Sequence, residues 1–244
     1  MTRLFRMVVV DYVQSLRIGI EWILAIAVCY LMLQETMSSS TVLATWALLT
    51  LVLTGYSTSV ICDMAEQPHQ LWRFTALRNR TTYLAAYITA SFAVSGISYV
   101  VMVVATAIFN PIVMPSMLTI LATLPSLMTL MVSVIFGVVL VSPLISTTWQ
   151  RLVVLVIVTI PLAWNLVITM AQHRFNIMES ALLDSLTTLF GVVVWPILHL
   201  YAVSITPNYS WLTVLFLFVQ FLANVGVAWI VVALFRRKLI RICQ

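Results

Sequence analysis

The chain has 244 residues, 63% of them hydrophobic and only 8% charged, with a formal net charge of +5. A soluble domain is about 45–50% apolar and about 25% charged. Too few charges are present here to cover a water-soluble fold, and the apolar excess requires lipid as solvent. The basic residues, Lys238 and otherwise Arg, flank apolar stretches, which marks them as topological signals and argues against a nucleic-acid partner.

Residues 1–17 form the first element. Placed 100° apart, Arg3, Arg6, Asp11, Gln14, Arg17 and Glu21 fall within an arc of roughly 140°. Leu4, Phe5, Val8, Val9, Tyr12, Val13 and Leu16 take the other side. This pattern predicts an amphipathic helix in the membrane interface, with Arg3, Arg6 and Arg17 reaching for lipid phosphates.

Apolar stretches follow near 18–34, 41–62, 81–109, 116–141, 152–171 and 211–235. A helix of about 20 residues crosses a hydrocarbon core of about 30 Å, so these predict six transmembrane helices in an all-α integral membrane fold. The first is short and carries Glu21 near its start. The third is long enough to tilt or to extend beyond the lipid. A membrane bundle is one unit, so residues 1–244 are read as a single transmembrane domain.

A further apolar stretch, 186–205, also has the length of a span. The charges decide how it is counted. With the N-terminus and the C-terminal tail both inside, Arg3, Arg6, Arg17, Arg73, Arg78, Arg80, Arg151, Arg236, Arg237, Lys238 and Arg241 are all cytoplasmic, and Arg174 alone is outside. This is a strong positive-inside pattern. A seventh crossing would place the basic tail outside. The stretch 186–205, which contains Gly191 and Pro196, is therefore read as a re-entrant hairpin on the outer side, within an outer region 172–210.

The cytoplasmic loop 63–80 is the longest polar stretch, yet it contains Leu71, Trp72, Phe74 and Leu77. Pro68 suits the start of a short helix there. Apolar side chains ringed by Glu66, Arg73 and Arg78 read either as a docking surface for another protein or as an interfacial belt in the headgroups. Inside the spans, Gln220 and Asn224 are one turn apart, and Asn165 follows Pro161 in the fifth span. These three are candidates for hydrogen bonds between helices or for the lining of a polar path.

No acidic or basic residue lies mid-span, so a proton or sodium relay lacks its usual carriers. No catalytic carboxylate pair, Ser/His/Asp set, HExxH motif or phosphate-binding loop is present. His173 and His199 lack a third ligand, and Cys29, Cys62 and Cys243 have no metal-ligand spacing, so neither a catalytic nor a metal site is read.

This layout resembles the permease subunits of ABC transporters of the ABC-2 type. Those proteins begin with a cytoplasmic amphipathic helix and have six spans with both ends inside. They carry a coupling helix between spans two and three, and an outer re-entrant hairpin before the last span. The stretch Glu66…Leu71-Trp72-Arg73-Phe74…Arg78-Asn79-Arg80-Thr81-Thr82-Tyr83 is similar to the family's loop, although the frequent Gly after the acidic residue is missing.

The resemblance implies a dimer, with a second copy or a similar permease, in a bacterial-type plasma membrane together with lipid. It also implies two copies of a separate ATPase subunit, which would bind ATP and Mg; no cofactor is expected on this chain. Glu66, Leu71, Trp72, Arg73, Phe74, Leu77 and Arg78 would dock that ATPase. The cargo implied is an amphipathic or lipid-like molecule, a peptide or a drug, moved outward. Two rival classes stand beside it: a non-transporting binding or regulatory membrane subunit, and an integral membrane enzyme, for which the sequence offers no catalytic set.

Overall fold

The computed structural model describes residues 2–32, 39–65, 81–109, 111–142, 145, 196–197, 199–205 and 209–242. Among them are six α-helices and a short 3-10 turn, and no strand: α1 (Thr2–Gln14), α2 (Arg17–Met32), α3 (Ser39–Ala65), α4 (Thr81–Phe109), the turn Pro111–Val113, α5 (Met117–Val141) and α6 (Trp211–Ile242). Residues 199–205 are also helical. Four helices, α3 to α6, are long and apolar enough to cross a membrane, and the bent α1–α2 pair is a fifth if the two are taken together. This is the architecture of a multi-pass membrane protein. The stretch 152–171 lies outside the described residues.

Local chemistry explains several boundaries. Ser116 caps α5, its Oγ accepting from the Thr119 amide at 3.2 Å, and Ser210 caps α6 by the same bond from Thr213 at 3.3 Å. Pro125 sits inside α5, where it removes one amide donor; the hydroxyls of Ser126 and Thr129 bond main-chain carbonyls around it. α6 continues to Ile242 rather than ending near 235. Arg, Lys, Leu and Ile all sustain a helix, so leaving the lipid does not end it.

The first element differs from its helical projection. α1 ends at Gln14, and Leu16 has φ 58°, a left-handed backbone that costs a leucine roughly 1–2 kcal/mol. Arg17 starts a new helix at 66° to the first. Beyond Leu16 a single 100° wheel no longer applies, so Glu21 does not share the exposed face of Arg3 and Arg6. It is buried.

Two apolar clusters stack along the bundle. One joins Val8 and Tyr12 of α1 to Val60 and Ile61 late in α3, Tyr83 and Tyr87 early in α4, Val139 late in α5, and Val231 and Phe235 late in α6. The other joins Ala25 and Cys29 late in α2 to Val42 and Trp46 early in α3, Tyr99 and Met102 late in α4, Ile120 and Leu127 early in α5, and Leu200. Helices α2 to α5 therefore alternate in direction, and α6 runs parallel to α5. Arg3, Arg6, Arg17, Arg236 and Arg237 are all exposed at the first cluster's end, here termed the basic end.

Candidate functional site at the basic end

α1 turns its apolar side to the bundle. Val8 and Tyr12 are buried against the other helices, while Arg3, Arg6, Met7, Val10 and Val13 are exposed. The Tyr12 hydroxyl donates to the Glu21 carboxylate across the bend, so one hydrogen bond links α1 to α2. Burial pushes the Tyr12 phenol above its ordinary range, and the hydrogen bond and charge of Glu21 act in the same direction; the phenol keeps its proton and serves as donor.

The stems of the loop after α3 lie beside α1. Tyr83, in the first turn of α4, donates to the main-chain carbonyl of Ala65, the last residue of α3, at 3.0 Å. The loop residues Glu66, Leu71, Trp72, Arg73, Phe74, Leu77 and Arg78 lie outside the described residues, as does Asn165. Asp63, the first residue assigned to the loop in the sequence, still belongs to α3.

Gln220 and Asn224 meet on Ser133 of α5. Gln220 Nε2 donates to Ser133 Oγ at 3.3 Å, and Ser133 Oγ lies 3.1 Å from Asn224 Oδ1. Ser133 Oγ also contacts the Thr129 carbonyl at 2.9 Å. This polar contact ties α5 to α6 along their parallel course. Sequence reasoning found the two amides by their four-residue spacing and missed Ser133, because one hydroxyl in an apolar run leaves no periodic trace.

At the opposite end, Tyr201 reaches the Ala44 carbonyl at 3.4 Å, and Ser204 Oγ donates toward Ser126 Oγ at 3.1 Å. Ser126 lies nine residues along α5 from Met117, about 14 Å at helical rise. The Tyr209 hydroxyl donates to the Ala122 carbonyl just before α6 begins. Of the predicted hairpin 186–205, the described residues 196–197 and 199–205 are helical; the rest lies outside them.

None of these groups forms a reaction centre. No cluster of three or more His, Cys, Asp or Glu that could hold a metal occurs among the described residues. An open groove between α4 and α5 is lined by Ile88, Thr89, Phe92, Val132, Ile135 and Phe136. Its one polar group, the Thr89 hydroxyl, is engaged by the Ala85 and Ala86 carbonyls, which leaves a surface suited to an acyl chain. No family model, curated protein or solved structure matches the chain.

Proposed function

We propose that this chain is the transmembrane permease subunit of an ATP-driven ABC exporter of the ABC-2 type. The observation that carries this reading is the convergence at one end of the bundle of three elements: α1 with Arg3 and Arg6, the stems of the 66–80 loop, and the end of α6 with Arg236 and Arg237. A docking partner on the cytoplasmic side would meet all three. The bend at Leu16 supports α1 as an interfacial helix, since it turns the helix well away from the axis of α2.

Two further observations favour six spans with a hairpin. Ile145 belongs to the basic-end cluster and Leu200 to the opposite one, so an odd number of crossings separates them, and in this reading the apolar stretch 152–171 is one. Ser204 meets Ser126 well inside the bundle, yet α6 starts again from that same end, as a re-entrant segment would require. In this reading both termini are cytoplasmic, the permease pairs with a second permease chain, and ATP and Mg bind two copies of a separate ATPase docked around Trp72 and Phe74. Cargo leaves between the two permeases.

Replacing Trp72 and Phe74 together with Asp tests the docking. The chain, purified in mild detergent from its native membrane, is expected to bring an ABC ATPase with it, and the double variant is expected to lose at least nine-tenths of that ATPase while keeping its own yield. Undiminished co-purification would remove the docking surface, and a wild-type chain without any ATPase would remove the permease reading.

A further inference from the structure

The last turn of α3 and the first turn of α4 are the stems of the loop 66–80. A helix leaves its last carbonyls without intrahelical partners, and a buried carbonyl needs another donor. Ala65 is at that position and is 1% exposed. Its carbonyl is satisfied from across the loop, by the hydroxyl of Tyr83, itself 2% exposed.

Tyr87, one turn further along α4, stands 3.1 Å from Tyr83, hydroxyl to hydroxyl, with ring centroids 4.6 Å apart. A carbonyl only accepts, so Tyr83 is the donor to Ala65, with the Tyr87 hydroxyl packed beside it. Phe at position 83 would fill the same space and remove the hydroxyl that makes the tie. Without it the last turn of α3 would be a frayed helix end, the part of a fold that opens at the lowest free energy.

We propose that Tyr83 is a positioning residue that fastens the end of α3 to the start of α4, so that a push on the loop moves both helices as one body. This rests on the permease reading, in which the ATPase delivers that push. A frayed stem would absorb the displacement by unwinding. A fastened stem passes it to the bundle, and to α1 as well, because Tyr12 lies in the same cluster as Tyr83 and Tyr87.

The test compares wild type with Tyr83→Phe, each purified with its ATPase and placed in lipid nanodiscs. Amide hydrogen exchange over residues 59–65 and 81–87 reads the tie alone, and is expected to quicken about five- to tenfold in the variant, the effect of losing one buried hydrogen bond. Cys62, 1% exposed and one turn before Ala65, reads transmission in chains whose Cys29 and Cys243 are changed to Ser. In wild type, ATP with vanadate is expected to alter the rate at which N-ethylmaleimide labels Cys62. In Tyr83→Phe that response should fall by half or more, while the ATPase still co-purifies in the same ratio. Unchanged exchange at both stems overturns the tie. Faster exchange with an undiminished Cys62 response overturns its role in transmission. A wild-type chain that carries no ATPase overturns the permease reading and the transmission role with it, while the exchange comparison still decides the tie.

Discussion

α3 and α6 are both long, apolar and able to cross a membrane, yet 67% of the spanning window of α3 is buried inside the bundle and only 11% of that of α6. The buried helix is the less apolar of the two. α3 carries Thr45, Thr50, Thr54, Ser57 and Thr58 on its inner face and shows Leu48 and Val52 outward. α6 shows Leu212, Phe218, Phe221, Leu222, Trp229 and Ile230 outward and buries Asn224. In lipid the outside is as apolar as any core, so hydropathy does not report burial. Small and hydroxylated residues do, because they allow helices to approach closely.

The largest effect expected from this contrast separates two tryptophans. Trp46 on α3 is fully buried, bonds Thr106 Oγ1 through Nε1 at 3.0 Å and meets Tyr99 edge-on. Trp46→Ala should cost about 3–5 kcal/mol of unfolding free energy in bicelles, against less than about 0.5 kcal/mol for Trp229→Ala on the exposed face of α6. Comparable losses at the two sites would erase the distinction between the helices.

A smaller effect has the opposite sign. The hydroxyls of Thr50, Thr54 and Thr58 are buried with no hydrogen-bond partner among the described residues. Thr54→Val keeps the shape and removes the orphan group, and should raise stability by about 1 kcal/mol; a loss in the same denaturation assay would mean that the inner face of α3 needs this hydroxyl. The smallest effect is expected at the α5–α6 contact. Asn224→Leu removes one interhelical bond, worth about 0.6 kcal/mol on average in a membrane bundle. A loss several times larger would mark Asn224 as more than a link between helices.

Most helix positions were legible in the sequence. The stretch read as 81–109 is α4 itself, and those near 41–62, 116–141 and 211–235 fall within α3, α5 and α6 or start one residue before. Ser116 and Ser210 announce two of the starts by the same Ser-x-x-Thr pattern. The break after Gln14 was not legible, because the left-handed residue there is Leu16 and not a glycine, so nothing in composition interrupts the helical wheel. The same wheel carries Glu21 onto the polar face, although it is buried. In the sequence Tyr83 is only the last residue of the loop motif; its reach to Ala65 depends on how α3 and α4 come together, which no local pattern encodes.

The directions of the helices also have an electrostatic consequence. α3, α5 and α6 end at the basic end, while α2 and α4 begin there. Each helix carries about half a negative charge at its C-terminus and half a positive one at its N-terminus, so among the described helices three negative poles face two positive ones. Arg236 and Arg237, within the last two turns of α6, lie toward such a pole and complement it in part. Part of the positive charge at this end therefore balances the protein's own backbone, and only the remainder is free to attract anything else.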